Sequence, residues 1–436
     1  MKFESPPSDI ESLIFSDDKL VNDYFSKKYE EFLKLIDSRY LYWDEIKHRK
    51  DLPFDPIKSW ALIKFNRRFN YKKLSFGAHD FSFVLTQAIQ KNLHEFDLKL
   101  IGGLYKSPIT NFDKSEYLKN SLLEEAIASS QIEGAATTTK VAWDMLKSGR
   151  KPRNESEQMI FNNLRGITFI DGEINNDLDF RMIIEVHRIM TANTSAEECA
   201  GAFRNAPIYV QDHIDGEIAH TPPGHEVLDQ LMTELCLFVN QEDDFIHPIV
   251  KASIIHFMIG YIHPFKDGNG RTARALFYWY LLKKGYSLIK NISISRAILD
   301  SRVQYDKAFL KTEQDQNDLT YFIVYSIKSL RVAFESLVKY RDKKKDERDK
   351  SSLIAYKLIE KGLHKRQADL VGYLYTKESN RVNITSYANR HDIVRQTARK
   401  DLNDLEKLGL IEEEKEGRNV LFKLTSAQKV DSYLNS

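Results

Sequence analysis

The segment from His247 to Phe265, HPIVKASIIHFMIGYIHPF, is apolar on nearly every face of a helix, and it limits the possible folds more than any other part of the sequence. A helix that is apolar all round must be buried on all sides, so other helices have to surround it. Glycine and proline are sparse, at 18 and 11 of 436 residues, which also favours helices. The sequence therefore predicts a mainly α-helical protein with this segment at the centre of a bundle.

Four regions differ in composition along the 436 residues, a length typical of two to four domains. Residues 1–105 alternate helical patterns with aromatic-rich loops and predict an N-terminal helical region. Residues 106–330 contain the amphipathic helices of the core. Residues 331–355 carry a run of mixed charges, which is typical of a solvated linker helix. Residues 356–436 predict a separate C-terminal unit.

Bulk properties argue against several classes of protein. The net charge is only +1, so the chain as a whole is not built to bind nucleic acid. The sequence begins without a basic segment followed by an apolar core, and no apolar stretch reaches 18 residues, so neither a signal peptide nor a membrane span is predicted. Cys199 and Cys236 give no disulfide framework and are interpreted as reduced core thiols. We therefore expect a cytoplasmic protein without a membrane partner.

Chemically active residues follow the central helix within twelve positions, from His263 to Arg274. The glycines of Gly268–Gly270 allow backbone conformations in which successive N–H groups point into one concavity, and the next helix start adds further donors. Arg271 and Arg274 share a helix face and can both meet phosphate oxygens. Asp267 is a carboxylate that could hold Mg²⁺ beside them. His263 suits a general base, so the segment predicts a site for a nucleotide.

The alternative interpretation of the same segment is a core histidine, a tight turn and two surface arginines. Two common phosphate motifs do not apply. A Walker loop has four residues between its glycines and then Gly-Lys-Ser/Thr, and a dinucleotide fingerprint follows a strand.

The stretch HPFKDGNGRTAR contains every fixed position of the signature of the Fic family of AMP-transferring enzymes, and so resembles that family. The resemblance implies that His263 deprotonates a Ser, Thr or Tyr hydroxyl of a target protein. The hydroxyl oxygen would attack the α-phosphate of ATP, AMP would be transferred, and Mg²⁺-pyrophosphate would leave. Asp267 would bind Mg²⁺, and Phe265 would pack the loop against the core. The implied ATP- and phosphate-binding residues are Asp267, Gly268, Asn269, Gly270, Arg271, Thr272, Ala273, Arg274 and Tyr305.

Segments upstream and downstream extend the resemblance. GAFRNAPIYV and HTPPGHEVLDQLMTELCLFVN look like the family's Gly-x-Phe-Arg segment and its Pro-Pro helix. Between them, residues 206–223 have two alternating arms around Asp215-Gly216, a favoured hairpin turn. The resemblance implies that this hairpin is a flap that pairs with a target strand. Its strand residues are Ile208, Tyr209 and Val210. Downstream, Gln304-Tyr305 and Thr312 replace the family's Tyr-Tyr and Asn, and Tyr305 would flank the adenine.

Ser129 and Glu133 lie four residues apart at the end of a predicted helix, just before Gly134. One interpretation is a capped helix end with an exposed acid. Beside the Fic signature, Ser-x-x-x-Glu-Gly resembles the inhibitory helix that precedes the core in one class of these enzymes, here about residues 115–134. That resemblance implies that Glu133 pairs with Arg274 and occupies the space of the ATP γ-phosphate, so we expect an autoinhibited enzyme.

Six histidines elsewhere have structural interpretations. Those on the hairpin and its exit match no standard zinc spacing: His213, His220 and His225. Those in apolar helical runs are interpreted as packing or capping residues: His187, His247 and His256.

Residues 383–425 have the order of a winged helix: a short helix, a turn, a second helix and a two-stranded wing turning at Glu416-Gly417. The segment resembles winged helix-turn-helix domains of bacterial regulators. Polar and basic residues crowd the start of the second helix, where major-groove contacts would occur: Arg395, Gln396, Thr397, Arg399 and Lys400. The acidic residues of the wing oppose DNA binding, and such domains also dock proteins or dimerise.

Three hypotheses of function remain at this point. The first is a protein adenylyltransferase that modifies a target protein or itself and is restrained by Glu133. The second is a DNA-binding regulator whose Fic core senses a nucleotide, and the third is the same scaffold removing AMP. The sequence predicts a hydroxyl-bearing target protein as partner, with DNA, a docked protein or a second copy of the chain as further partners of the C-terminal unit.

Overall fold

The computed structural model describes residues 4–8, 13–14, 17–101, 111–211, 216–377, 380–416 and 419–436. It is mainly helical, as the sequence predicts, and it divides into two compact units, Met1–Ser336 and Leu337–Ser436. Across these described ranges, no helix is both long enough and apolar enough to cross a membrane.

The first unit opens with short helices and one hairpin: α1 (Asp18–Phe25), α2 (Glu30–Arg39), α3 (Trp43–Ile46), α4 (Pro56–Arg68), β1 (Lys72–Phe76), β2 (His79–Phe83) and α5 (Gln87–Leu100). Next come the elements of the core: α6 (Asn111–Ile132), α7 (Thr139–Ser148), α8 (Glu155–Gly172), α9 (Phe180–Thr191), β3 (Val210–Gln211), β4 (Ile218–His220), α10 (Leu228–Asn240), α11 (Pro248–Ile262), α12 (Asn269–Lys283), α13 (Ile294–Leu299) and α14 (Arg302–Gln314). Three 3₁₀ turns connect them, at Glu197–Cys199, His225–Val227 and Ser287–Asn291. Helix α15 (Thr320–Glu360) runs from the first unit into the second.

Helix α11 is the buried central helix that the sequence predicts, and every residue from 249 to 259 is buried. It begins at Pro248, where a missing N–H is harmless, and the ring of His247 accepts a hydrogen bond from the backbone of Ile249. It packs against α10 and α12, and α12 in turn contacts α6, α8 and α9. The apolar character of this one segment therefore positions the helices that surround it.

The hairpin of β1 and β2 corrects the expectation that residues 1–105 contain only helices and loops. Its strands are antiparallel, from Lys72 opposite Phe83 to Phe76 opposite His79. They are short and carry several charged residues, so their alternation is weak in the sequence. Tertiary contacts stabilise them: Phe76, Phe81 and Phe83 are buried, and Phe81 packs edge-on against Tyr261 near the end of α11.

A buried polar network joins the N-terminal helices to the segment between α14 and α15. The Nζ of Lys64 lies 2.9 Å from Asp315 Oδ2 and 3.7 Å from Asp318 Oδ2, and all three side chains are almost fully buried. The hydroxyls of Tyr40 and Tyr71 donate to Asp318, at 2.6 and 2.8 Å. Each buried charge thus has charged and hydrogen-bonding partners, as stable burial requires.

The flap strands β3 and β4 pair antiparallel, with Val210 opposite His220 and Gln211 opposite Ile218. The predicted turn residue Asp215 lies outside the described residues. The two cysteines are free; Cys236 is buried, whereas Cys199 is partly exposed rather than a core residue.

The second unit continues from α15 with α16 (Lys365–Tyr375), α17 (Ile384–His391), α18 (Arg395–Lys407), β5 (Ile411–Glu416), β6 (Asn419–Leu424) and α19 (Ala427–Asn435). Strands β5 and β6 are antiparallel, and a separate apolar core includes Leu402, Leu405 and Phe422. Gly417, in the predicted wing turn, lies outside the described residues. The order of elements is compatible with a winged helix, and that assignment stays a prediction.

We expect Lys64→Ala to lower the free energy of unfolding by about 3–5 kcal/mol, because it leaves buried carboxylates without their cation. Urea unfolding followed by circular dichroism measures this loss. The matched control is Lys58→Ala on the same helix, which removes the partly exposed pair with Asp17 and should cost much less, because solvent screens that pair. Equal losses of stability in the two variants would show that the buried network stabilises the fold no more than the partly exposed pair does.

Candidate active site

The loop between α11 and α12 begins at His263, which ends α11 in the left-handed conformation, with φ of 50°. Its backbone N–H still bonds to the carbonyl of Ile259. The ring Nδ1 lies 3.0 Å from the carbonyl oxygen of Gly260, and a carbonyl only accepts hydrogen bonds. Nδ1 therefore carries the proton in the neutral ring, and Nε2 keeps its lone pair. His263 is thus oriented as a base that acts through Nε2.

The electrostatic surroundings of His263 favour its neutral form. Burial lowers the pKa of its ring below the ordinary range, while the bond to the Gly260 carbonyl and the charge of Glu133 act in the opposite direction. The nearby imidazole of His220 and guanidinium of Arg204 lower this pKa further. A neutral ring at physiological pH is what a general base needs.

Asn269 closes the loop on itself. Its side chain accepts a hydrogen bond from the backbone N–H of Phe265 at 2.9 Å and donates to the Phe265 carbonyl at 2.7 Å. Gly268 precedes it with φ of 81°, a conformation that favours glycine. The side chain of Asn269 is buried and occupied by these two bonds, so the structure assigns it to loop shape. The predicted contact between Asn269 and a nucleotide would therefore have to come from its backbone.

His187, for which the sequence predicts a packing or capping role, also positions the loop. Its ring stacks on Phe265 at 3.7 Å, and Nε2 lies 2.8 Å from the carbonyl oxygen of Asp267. Nδ1 accepts from the backbone N–H of Gly201 at 3.0 Å. These two bonds require the neutral ring, and burial lowers the pKa of His187 to about 4. The sequence offers one signal, a histidine on an apolar helix face, which does not distinguish packing from positioning.

Arg204 is a second positioning residue, and its role is not evident in the sequence. Its Nε donates to the carbonyl of His263 at 2.8 Å, and its Nη2 donates to the carbonyls of Ile262 and Pro223. Its backbone N–H bonds to the carbonyl of Pro264. One buried guanidinium thus satisfies the carbonyls at the end of α11, where no further helical N–H follows.

Arg271 and Asp267 form an ion pair with each other, 2.8 Å apart. The other arm of the Arg271 guanidinium donates to the carbonyl of Met190, and the side chain is buried. Asp267 is half exposed, so its carboxylate remains open to solvent. Among the described residues, no cluster of three or more His, Cys, Asp or Glu side chains could hold a metal ion. A magnesium ion at Asp267 would need phosphate and water ligands as well.

Arg274 is the buried cation at the far end of the site. Its Nε donates to Ser129 Oγ at 2.9 Å, and its Nη2 donates to the Ser129 carbonyl at 2.8 Å and to Glu133 Oε1 at 3.0 Å. Its Nη1 is buried and has no hydrogen-bond partner in the described part of the chain. An unpaired guanidinium donor in a buried position marks a site for an additional acceptor.

Glu133 fills the space in front of the glycine loop. A Cβ built on Gly270 would come within 2.3 Å of Glu133 Oε1, so the glycine is needed for the carboxylate to lie there. Burial acts to raise the pKa of Glu133, but the charges of Arg274, Arg271 and Arg302 lower it below the ordinary value on balance. The carboxylate is therefore ionised, and the predicted contact between Glu133 and Arg274 is present in the structure.

Three further residues predicted to bind ATP are buried. Thr272 and Ala273 are buried in α12, and the Thr272 hydroxyl has no partner within the described ranges. Tyr305 is also buried, and its hydroxyl lies 2.9 Å from His256 Nε2 within an aromatic cluster. A role for its ring beside an adenine stays a prediction.

The flap residues Ile208 and Val210 are partly exposed, and Tyr209 is 58% exposed. At the base of the flap, His220 contacts the carbonyl of Tyr261 and the carboxylate of Glu313, each at 2.7 Å. The flap is therefore tied to the core two residues before His263, while its strand is open to a partner.

The five residues predicted to contact DNA lie at the start of α18. Four are exposed and Thr397 is partly exposed: Arg395, Gln396, Thr397, Arg399 and Lys400. In the hairpin of β5 and β6, which the sequence predicts as a wing, Lys423 pairs with Glu412 and Glu414, and Arg381 also pairs with Glu414. These pairs neutralise part of the acidic charge of the hairpin.

Comparison with known families identifies the region around this site. The profile of the Fic/DOC family matches residues 177–281, which include α9, the flap and the loop from His263 to Arg274. Residues 177–281 form a Fic domain. The match contains the base, the glycine loop and both arginines of the site, whereas Glu133 and the C-terminal unit lie outside it.

Curated relatives extend the similarity beyond the Fic domain. Protein adenylyltransferase Fic from Nematostella vectensis is 26% identical over 271 residues, which are 59% of this chain and 56% of the relative. The protein of the same name from Aedes aegypti is 34% identical over 122 residues, 27% of this chain and 23% of the relative. The chain thus matches about half or less of the length of these relatives.

Solved structures share the fold. Fic-1 from C. elegans superposes with a TM-score of 0.53 at 18% identity, covering 77% of this chain and 89% of that one. A Fic family protein from Desulfovibrio desulfuricans G20 gives a TM-score of 0.51 at 17% identity, covering 77% and 94%. The fold around the Fic domain is therefore that of Fic proteins.

We expect Asn269→Ala to lower the free energy of unfolding by about 1–3 kcal/mol, because it leaves the buried backbone groups of Phe265 without partners. Urea unfolding without nucleotide measures the loss, and Lys266→Ala, at an exposed position of the same loop, serves as control. Unchanged stability of Asn269→Ala would mean that Asn269 acts only as a ligand.

Proposed function

We propose that this protein transfers AMP from ATP to a hydroxyl side chain of a protein. The observation that carries the proposal concerns two atoms without a hydrogen-bond partner in the described part of the chain. They are Nε2 of His263, beside the glycine loop, and Nη1 of the buried Arg274 on the helix that follows. The Fic domain and relatives named protein adenylyltransferase Fic support the same chemistry.

The reaction assigned to His263 is general-base catalysis. Its Nε2 takes the proton of a Ser, Thr or Tyr hydroxyl as the hydroxyl oxygen attacks the α-phosphorus of ATP. A bond from that oxygen to the α-phosphorus forms, the bond from the α-phosphorus to the bridging oxygen of the β-phosphate breaks, and pyrophosphate leaves. Burial keeps His263 neutral before the step, so it can accept this proton.

The phosphates of ATP would bind at the start of α12. The backbone N–H groups after Gly268 lie at a helix N-terminus, where the helix dipole favours anions. Arg274, one turn further along, offers Nη1 to the terminal phosphates. Arg271 contributes mainly by holding Asp267 and the end of α9, because its polar contacts are with the protein.

Magnesium fits the proposed site through Asp267. The carboxylate is half exposed and lies at the entrance of the glycine loop, and Mg²⁺ is commonly held by one or two carboxylates together with phosphates and water. When bound, the ion would neutralise charge on the departing pyrophosphate. The protein's own part is to hold Asp267 in place, through Arg271 on its side chain and His187 on its carbonyl.

The target protein would bind along the flap. Ile208 and Tyr209, which precede the short strand β3 rather than belong to it as predicted, and Val210 within it are exposed or partly exposed. An extended segment could add to this strand by backbone hydrogen bonds. His220 ties the flap to the end of α11, so a hydroxyl on the added segment would lie near His263. The same arrangement would accept a segment of a second copy of this chain.

Glu133 would restrain the enzyme in this state. Its carboxylate already occupies Arg274 and lies against Gly270, so the terminal phosphate of ATP would meet a negative charge and a partly used arginine. Productive ATP binding would then require Glu133 to move away.

The central test is transfer of label from α-labelled ATP with Mg²⁺ to protein in a cell lysate and to the chain itself. We expect Glu133→Gly to increase labelling by about tenfold or more, which corresponds to at least about 1.4 kcal/mol. Adding His263→Ala should reduce the rate by about 10²–10⁴-fold, because the general base is removed.

Gln131→Gly is the matched control for this test, since it introduces glycine into the last turn of α6, just before Glu133, at a residue that bonds to Thr137 rather than to Arg274. Labelling that persists in the double variant would contradict the role of His263. A similar increase in Gln131→Gly would show that helix loosening, rather than the Glu133 carboxylate, controls the rate.

DNA binding by the second unit is a second candidate function. That unit contains 22 Lys and Arg against 16 Asp and Glu, so its net charge is +6 while the whole chain has +1. The exposed residues Arg395, Arg399 and Lys400 share one helix start, and two wing glutamates are paired within the unit. Basic residues on one exposed face are the electrostatic feature of nucleic-acid binding.

Binding of the full chain to a fluorescent duplex over a salt series tests this function. We expect the triple variant Arg395→Ala, Arg399→Ala and Lys400→Ala to weaken binding and to lower the salt slope by about one for each phosphate that is no longer bound. The matched control removes three exposed lysines elsewhere in the unit: Lys357, Lys361 and Lys429. Equal effects in the two triple variants, or no binding by the unchanged chain, would exclude the proposed surface.

A further inference from the structure

Helix α6 faces α12 with a row of polar residues spaced four apart, which places them on one ridge of the helix. The row consists of Ser121, Glu125, Ser129 and Glu133. Helix α12 presents its own row at the same spacing: Gly270, Arg274 and Tyr278. Glu125 contacts Tyr278, Ser129 contacts Arg274, and Glu133 contacts Arg274 and lies against Gly270. The two rows therefore run in opposite directions and form a polar ladder between the helices.

Glu125 is the most completely bonded member of this ladder. Its Oε2 accepts from the Tyr278 hydroxyl at 2.8 Å, from Ser293 Oγ at 2.9 Å and from the Ser295 backbone N–H at 2.9 Å. Its Oε1 accepts from the Ser295 hydroxyl. Burial raises the pKa of the Glu125 carboxyl, and these hydrogen bonds act in the opposite direction. The carboxylate thus fixes α6 to both α12 and the start of α13.

The position of Glu133 depends on where α6 lies along its own axis. Helix α6 ends at Ile132, so Glu133 projects from the end of the helix and has no helical turn after it. A helix rises 1.5 Å per residue, and a hydrogen bond weakens when its atoms separate beyond about 3.5 Å. The hydrogen bond between Arg274 and Glu133, at 3.0 Å, would break if α6 slid by even a fraction of one residue.

We propose that Glu125 is a positioning residue for Glu133: by anchoring α6 at Tyr278 and Ser295, it keeps the carboxylate of Glu133 on Arg274. This inference rests on the proposed function, because it assigns the residue that maintains the restrained state. Glu125 lies two helical turns from Glu133, and its hydrogen bonds reach none of the residues assigned to ATP. Its charge does act on Arg274, so the Glu133→Gly background is needed to separate this direct effect from one that passes through Glu133.

A second hydrogen bond at the end of α6 limits the increase in activity expected of a Glu125 variant. Arg302 Nη1 donates to the carbonyl of Ile132 at 2.6 Å and so holds the end of α6 to α14. Removing the Glu125 anchor leaves this hydrogen bond in place. The restraint should therefore weaken without disappearing, and the activity of a Glu125 variant should lie between those of the unchanged protein and Glu133→Gly.

The experiment compares AMP transfer by full chains carrying Glu125→Gln, Glu133→Gly or both. The glutamine keeps the size of the side chain but presents an NH₂ group to donors, so it loses part of the anchor. We expect Glu125→Gln to raise the initial rate by about threefold to tenfold, as for the loss of about one ordinary hydrogen bond. In the Glu133→Gly background, Glu125→Gln should leave the initial rate unchanged. Ser295→Ala, which removes one donor to Glu125, should act in the same direction.

Glu124→Gln is the control, since Glu124 lies on the same helix but bonds to Trp143 and Arg296 rather than to α12. The inference fails if Glu133→Gly is active while Glu125→Gln and Ser295→Ala are no faster than the unchanged protein. It also fails if Glu125→Gln alters the rate equally with and without Glu133, or if Glu124→Gln gives the same increase. Absence of transfer by Glu133→Gly itself would instead refute the proposed function.

Discussion

The pairing of Arg274 is the interaction on which the rest of the site depends. A buried guanidinium is stable only with charged or hydrogen-bonding partners, and Ser129 and Glu133 supply them from a helix more than a hundred residues earlier. The same cation is also the natural partner for a terminal phosphate. In the proposed function, Glu133 and a phosphate of ATP would therefore compete for Arg274, and the position of α6 relative to α12 would decide which of them binds.

Local sequence predicted the catalytic loop well because its geometry is set by neighbours in the chain. A buried helix ends at His263, a glycine turn follows, and Arg274 lies one turn into the next helix, so a dozen consecutive residues determine these positions. The hydrogen bond between Glu133 and Arg274 spans 141 residues. Helical spacing cannot predict a contact between residues so far apart in the chain. The pair was predicted from the resemblance to a known family.

What the sequence did not predict is held by contacts between distant segments. The hairpin of β1 and β2 has weak alternation, and beyond their contact with each other Phe76 and Phe81 pack against aromatic residues of α10 and α11. Lys64 would be interpreted as a surface lysine on composition alone, yet Asp315, 251 residues later, makes its burial stable. His187 would lie on an apolar helix face whether it packs in the core or positions the loop, so the sequence cannot distinguish the two roles. The contact between its ring and the carbonyl of Asp267 forms only in the folded loop.

The residues of the Fic signature divide into two groups by what their polar atoms already contact. Asn269 and Arg271 have most of their hydrogen-bonding groups on the protein, at Phe265, Met190 and Asp267. His263 Nε2 and Arg274 Nη1 have no hydrogen-bond partner among the described residues, and the buried Nε of Arg271 has none either. The contacts of the first group shape the loop, and in the proposed function the second group meets the substrate. A signature that looks uniform in the sequence therefore combines structural and chemical roles, and a substitution in the first group should act on stability before it acts on chemistry.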